Sequence, residues 1–296
     1  MQFRKKFYDK LLLFLAIFFV FLSFSILFLL IVDIFLKGFS GLSLSFLFSF
    51  PSRNPQKAGI LSSWVGTLWL MFGTAIISIP IGIGAGIYLE EYAKKNIFSN
   101  ILEVNIANLA AVPSIIFGLL GLGIFARAFG FGRSILTGSL TLAILILPML
   151  IMTTREAVRA VPSSIREASY ALGATKWKTT IDQVLPVAFP NILTGIILGL
   201  SRAIGETAPL ITIGALTYIA FLPASPIKTD FPFITFKGFM DPFTTLPIQI
   251  FNWVSRPQSA FQLKAASAII ILLFIVFLLN GIAIYLRIKY QMRLKE

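Results

Sequence analysis

The sequence predicts an all-α integral membrane protein with six transmembrane helices, and three observations carry that prediction. First, 57% of its 296 residues are hydrophobic and 12% are charged, with a mean hydropathy of +0.89. A soluble domain carries about 25% charged residues. Second, the apolar residues fall into runs long enough to cross a bilayer. A spanning helix needs about 20 mostly apolar residues, each adding ~1.5 Å toward a ~30 Å hydrocarbon layer. Third, Lys and Arg gather in alternate connections between the runs, the asymmetry that orients helices in a membrane.

The expected spans are residues 11–36, 64–89, 101–125, 134–152, 189–218 and 265–286. The first follows Arg4, Lys5, Lys6 and Lys10, as a signal peptide would. Its apolar run is far longer than a ~7–15-residue signal core and no A-x-A pattern follows, so it reads as a retained helix. Six spans with the N-terminus inside place both termini in the cytoplasm. Of the 25 Lys and Arg residues, 15 then lie inside, including Lys94, Lys95 and Lys295, and nine outside, including Lys228; Arg202 lies within the fifth span. The opposite orientation contradicts this bias.

Residues 1–36 thus form a short cytoplasmic segment and the first span, and 37–63 an external loop. Residues 64–288 form the main transmembrane domain, with an inside loop at 155–186 and an outside loop at 222–264, and 289–296 form a cytoplasmic tail. Pro223, Pro226, Pro232, Pro242, Pro247 and Pro257 argue against a long helix in the outside loop. Residues 245–254 suit one short amphipathic helix on the membrane surface. Trp64 and Trp253 fall near span ends or in outside loops, where aromatic belts form.

The composition excludes much chemistry. There is no Cys and no His, hence no disulfide, thiolate–zinc site, cysteine nucleophile, Ser-His-Asp triad or histidine relay. No Gly-Lys dipeptide is present to build a Walker A loop. The net charge of +13 reads as orientation against lipid rather than as a nucleic-acid footprint, because the basic residues sit between apolar spans. The chain is expected to be no enzyme and to hold neither cofactor nor metal.

Two constellations stand out. Residues 155–186 contain Pro162-Ser163-Ser164, a helix start with Glu167 three residues after Ser164 as in a capping box. Gly173 follows as a helix stop of the C′ type, and a second short helix is expected over 176–184, ending before Pro186. The result is a helix, a glycine turn and a helix with a small apolar face, suited either to rest on headgroups or to enter a partner's groove. In the fifth span, Arg202 and Glu206 are four apart, ~6 Å along one helical face, and can pair. A charge at mid-span costs ~2.5–3.5 kcal/mol and usually faces a water-filled path. The alternative is a structural ion pair between helices. Arg202 offers a forked donor for an oxyanion, Glu206 balances its charge, Ser201 and Thr207 add hydroxyls, and Pro209 interrupts the helix. Two lesser motifs have plain readings. Gly82-Ile83-Gly84-Ala85-Gly86 is small-residue helix packing. Glu90-Glu91 with Lys94-Lys95 makes two i,i+4 pairs at a solvated span end.

Glu167-Ala168-Ser169, Gly173 and Leu185-Pro186 together resemble the EAA loop of ATP-binding-cassette importer permeases, departing from it at Ser169 and Gln183. The stretch from Ser201 through Arg202, Glu206 and Pro209 to Leu210 resembles the signature of the A-type membrane subunit of phosphate-specific (Pst) importers. So do Gly66-Thr67, Ile79-Pro80-Ile81-Gly82, Ile87 to Tyr92, Asn108 to Ile115 and Leu246 to Ile250. The resemblance implies a type I ABC importer permease fold. It implies that Glu167, Ala168, Gly173, Leu185 and Pro186 couple to an ATPase, and that Arg202, Glu206, Ser201 and Thr207 lie on a phosphate path. The implied partners are a C-type (PstC-like) second permease, two PstB-like ATPase subunits that bind the ATP, and an external PstS-like phosphate-binding protein, in a bacterial or archaeal cytoplasmic (inner) membrane. A permease for phosphonate, sulfate or molybdate, the C-type sibling, and a stand-alone secondary transporter are the alternatives.

Overall fold

A computed structural model of the chain describes residues 2–94, 96–225 and 235–293, without the side chains of 2–9 and 293. Expectations placed on Lys95, Pro226, Lys228, Pro232 and Lys295, and on the side chains of Arg4, Lys5, Lys6 and Arg293, lie outside the described residues. The architecture is all-α. Among the described residues β structure is limited to one isolated bridge between Ser134 and Pro242.

Helix α1 (Gln2–Gly38) is followed by a short α2 (Leu44–Phe48), whose N-cap Ser43 accepts from the Phe46 amide. Helix α3 (Leu61–Ile87) continues into a π-helical turn, Tyr88–Tyr92. Helix α6 (Ile135–Arg159) comes after α4 (Ile97–Ala110) and α5 (Ser114–Leu120), the latter prolonged by a π segment, Gly121–Ala128. The loop helix α7 (Ser163–Ala171) leads to α8 (Lys176–Thr179), a π turn at Thr180–Val184 and α9 (Leu185–Gly205). Helices α10 (Ala208–Ile213), α11 (Leu246–Val254) and α12 (Ser259–Arg293) complete the chain.

Five helical stretches are long and apolar enough to cross a membrane, and the bent pair Ile97–Ala110 and Ser114–Ala128 makes a sixth. The expected third span, 101–125, is therefore not one rod: α4 and the Ser114–Ala128 stretch meet at 104°. Pro113 is the local cause, because it restricts the residue before it and cannot donate within a helix.

Helix α6 is the centre. It packs against α3, α4, α5, α9 and α10. Leu142, Leu145, Ile146 and Leu150 of α6 lie in one core with Leu70 and Met71 of α3, Phe117 of α5, Ala203 and Ile204 of α9, and Leu210 of α10. Close approach rests on small residues. A methyl group at Gly82 would lie 2.7 Å from Leu150 Cβ, and one at Gly86 would lie 2.6 Å from Thr154 Cβ. At Gly84, on the other face, it would meet nothing within 4 Å. By contrast α1 runs along α12 with its apolar stretch exposed to the surroundings.

The surface-helix reading of 245–254 is corrected. Helix α11 is packed between α3 and α12, with Leu246, Ile248 and Trp253 fully buried. Its first amide, Leu246 N–H, donates to Thr67 Oγ1 at 3.0 Å. Trp253 is accordingly no belt residue: it fills a second core with Phe46 and Phe261. Phe251 and Val254 face outward, but local amphipathicity could not reveal that its other residues are buried by protein rather than lying on lipid.

Gly82→Val is expected to lower the thermal midpoint of the purified protein, at a cost of about 1–3 kcal/mol from overpacking. Gly84→Ala should be neutral or stabilising, since it only removes a helical glycine. Equal effects in thermal unfolding would contradict the packing described.

Candidate functional site

Arg202 and Glu206 occupy the end of α9. The helix stops at Gly205, Glu206 is extended (φ −74°, ψ 123°), and α10 begins at Ala208. The fifth span, 189–218, is therefore broken just before Pro209, where the sequence placed an interruption. Pro209 explains the position of the break: its ring clashes with the carbonyl four residues earlier, that of Gly205. Proline itself then sits harmlessly in the first turn of α10. The break costs little backbone bonding, since the Glu206 amide still reaches Ala203 O at 3.3 Å and Ile211 N reaches Thr207 O at 3.0 Å.

Arg202 Nε donates to Glu206 Oε1 at 3.4 Å, with side-chain exposures of 40% and 18%. The long contact and the open arginine leave guanidinium donors free to turn outward. Thr207 lies at the break beside them, its hydroxyl 3.5 Å from Gly205 O. Ser201 is not part of this patch. One residue earlier on the helix, it points to α12 and lies 2.5 Å from Asn280 Oδ1. The second broken span closes on the first: a methyl at Gly118 of α5 would lie 2.7 Å from Pro209 Cα. Two interrupted helices thus meet at Pro209, three residues past Glu206.

At the basic end of the bundle, α7 projects as a knob. Its N-cap is Pro162, with no side-chain cap, so the Ser164–Glu167 capping box does not form. Pro162 fixes the entry of the chain instead, and the helix starts at Ser163. Gly173 has φ +82° and closes a Schellman turn: Gly173 N–H donates to Tyr170 O at 2.9 Å and Ala174 N–H to Ser169 O at 3.1 Å. Glu167, Ala168, Gly173 and Pro186 are exposed, and Leu185 is half-buried. Leu172 is 90% exposed and Trp177 66%. Ala168, Leu172, Gly173, Lys178 and Gln183 help line a groove of about 580 Å³. Val184, beside Gln183, is fully buried against Ala157, Val158, Ala188 and Ile192.

The helix over 176–184 does not end before Pro186. It runs on through the π turn into α9. Within a π turn the amide bonds five residues back, so a proline just after it forfeits no i→i−4 bond.

Glu90 and Glu91 were expected to pair with Lys94 and Lys95 at a solvated span end; Lys95 lies outside the described residues, and both carboxylates meet arginines instead. Glu90 Oε2 accepts from Arg155 Nε at 3.1 Å and from Arg159 Nη2 at 2.9 Å. Arg155 also pairs with Glu103 of α4. Glu91, 7% exposed, accepts from Arg166 Nε at 3.0 Å and Nη2 at 2.7 Å. Arginine forks make paired bonds that a lysine cannot. The partners lie 65 to 75 residues away in sequence, so local spacing gave no signal for them.

The family described as binding-protein-dependent transport system inner membrane component matches residues 78–290. The chain is 32% identical to the "Probable ABC transporter permease protein YqgI" of Bacillus subtilis (strain 168) over 249 residues, 82% of this chain and 83% of that one. It is 32% identical to the "Phosphate transport system permease protein PstA 1" of Mycobacterium tuberculosis (strain ATCC 25618 / H37Rv) over 229 residues, 77% and 70% of the two chains. A solved structure of the MetNI methionine ABC transporter, in an inward-facing conformation, superimposes with a TM-score of 0.59 at 16% identity, covering 76% of this chain and 93% of that one. That likeness gives the fold: a type I ABC permease.

Arg155→Gln leaves Glu90 with Arg159 but strands Glu103. Removing one partner of a fully buried pair costs ~3–5 kcal/mol, and Glu103 is 35% exposed, so a loss on the order of 2 kcal/mol is expected. Thermal unfolding in detergent measures it; an unchanged midpoint would show that the charge cluster does not hold α4 to α6.

Proposed function

We propose that this chain, which belongs to the family of binding-protein-dependent transport system inner membrane components, is the membrane permease subunit of an ATP-driven inorganic phosphate importer. It is a multi-pass, PstA-like permease of the inner membrane. The observation that carries the phosphate reading is Arg202. A guanidinium stands open at a helix break, where a charge costs ~2.5–3.5 kcal/mol unless it faces water, a partner or a ligand. Its fork matches the oxygens of a tetrahedral oxyanion.

In this reading the chain supplies half of the path. Arg202 faces the side that this chain leaves uncovered, where the second permease subunit closes the cavity. Phosphate delivered by an external binding protein meets the guanidinium, which turns from Glu206 to the anion. Glu206 retains a neutral pair when the site is empty, and Thr207 offers a hydroxyl. ATP is bound and hydrolysed by separate ATPase subunits that grip α7 around Glu167, Ala168 and Gly173, with Leu185 and Pro186 leading their motion into α9. Alternating access follows: closure of the ATPases moves the loop, opens the cavity outward and admits phosphate, and hydrolysis resets it. The basic loop end faces the cytoplasm with both termini.

Arg202→Gln is expected to abolish ATP-driven phosphate uptake by proteoliposomes holding the full complex, with the complex still assembled on size-exclusion chromatography. Normal uptake would reject the pathway role, and uptake of sulfate or molybdate in place of phosphate by the unaltered complex would reject the substrate. Gly173→Asp is expected to stop uptake as well, because aspartate resists φ +82° and adds a charge at the grip. Full transport by that variant would place the coupling contact elsewhere.

A further inference from the structure

We infer that the Glu91–Arg166 ion pair is a positioning brace that makes the loop helix α7 move as one body with the membrane helices. The inference rests on the permease reading above and adds to it two residues that reading leaves unused.

The geometry is that of a strut across a joint. Between α6 and α7 the chain leaves the helix at Ala160 and re-enters it at Ser163. Ala160 N–H still bonds Glu156 O at 3.0 Å and Val161 N–H bonds Val158 O at 3.2 Å. Pro162 cannot donate, so the ladder is interrupted there, and the backbone alone would let α7 swing and absorb a push from outside. Arg166 spans this gap. Its Nε and Nη2 hold Glu91 Oε1 at 3.0 and 2.7 Å, Nη2 also donates to Val158 O at 2.9 Å, and Nη1 donates to Val161 O at 2.7 Å. One guanidinium thereby ties α7 to the last turn of α6, to the joint itself and to the end of α3. The side chains of Arg166 and Glu91 are 18% and 7% exposed, so the pair is shielded and screened less than a surface bridge.

The π turn Tyr88–Tyr92 supplies the other half. Its Ala93 amide bonds back to Tyr88 O at 2.8 Å, five residues away. Neighbouring side chains on a helix point to different faces. Hence Glu90 turns to Arg155 and Arg159 of α6, while Glu91 turns to Arg166 of α7. Tyr92 then reaches the far half of the loop: its hydroxyl lies 3.5 Å from Thr180 Oγ1, and Lys176 Nζ stands 5.2 Å from its ring centroid. The loop is covalently joined only to α6 and α9. Through this turn it is also fastened to α3, which the chain does not connect to it directly.

The chain has no cysteine, so introduced thiols are unique. Glu91→Gln and Arg166→Gln are each placed in the complete importer, and phosphate imported per ATP hydrolysed is measured in proteoliposomes. The expected result is a several-fold fall in that ratio with ATP hydrolysis continuing. Glu91→Cys with Arg166→Cys should show the same fall, and a thiol-specific bifunctional reagent of matching span should restore the ratio until reductant is added. An unchanged ratio in an assembled variant overturns the brace. So does a parallel loss of hydrolysis and transport that the cross-link does not rescue, which is the mark of a merely structural pair. Should every variant fail to assemble, spin labels on Ser164→Cys and Lys94→Cys with the pair intact decide it. Their separation should stay fixed between nucleotide-free and ATP-trapped states, and a change overturns the brace. An unaltered complex that imports no phosphate would instead count against the function proposed above. The ratio is then read with whichever oxyanion it does carry.

Discussion

Hydrocarbon offers no partner to a backbone amide or carbonyl, so a chain crossing it must satisfy those groups within its own helices. Every feature of this fold answers to that constraint. Among the described residues the crossing elements are helical, and the two interruptions keep local backbone bonds even though Ala111, Pro113 and Gly205 stand exposed on this chain. The gap after Ala110 keeps its bonds through Ala111 N to Asn108 O at 3.1 Å and Val112 N to Leu109 O at 3.2 Å. The gap after Gly205 is held in the same manner, and the two broken spans touch through Gly118 and Pro209. A break in the bilayer region marks a place lined by protein or water rather than lipid, which is why an arginine can stand there.

The second requirement is attraction without a hydrophobic drive between helices, since lipid tails are as apolar as leucine. The bundle meets it with small residues and with charge. Gly82 and Gly86 let α3 settle on Leu150 and Thr154 of α6, and Gly195 of α9 faces Thr153. At the basic end, where water begins, three glutamates and three arginines tie α3, α4, α6 and α7 together. Glycine contacts set how closely the helices approach, and the ion pairs set how their ends are angled. Helix α1 meets α12 at Gly38, where a methyl would lie 2.7 Å from Ala266 C, and stays at the edge of the bundle.

Much of this was legible in the sequence, and the remainder fails for identifiable reasons. Hydropathy located the spans because burial in lipid is a property of each residue. It missed their ends, as with α6 running on to Arg159, because a helix need not stop at the membrane surface. Gly173 was readable because a Schellman turn is local. The break at Pro209 was readable from the proline, whereas the one at Pro113 was not, since Pro80, Pro148 and Pro190 lie inside helices. Ser201 was grouped with Arg202 by adjacency, yet adjacent helical residues face different neighbours, and Asn280 takes its hydroxyl. Glu91 found Arg166 across 75 residues, and no spacing rule reaches that far.

In the proposed coupling, the continuity of the helix through Pro186 matters most for how a push at the loop would reach Arg202. Had a joint lain there, motion at α7 and α8 would dissipate before α9. Instead Lys176 to Gly205 is one helical stretch of 30 residues, roughly 45 Å at 1.5 Å per residue. Arg202 stands on the last turn of that rod and Lys176 on its first. The turn at Gly173 is then the hinge between the rod and α7, while the joint at 160–162 is bridged by Arg166. Ser169 Oγ and Thr179 Oγ1, 2.8 Å apart, limit even the Gly173 hinge. Under the function proposed above, a displacement of the knob would be left with one stiff route, along α9 to the break that holds the arginine.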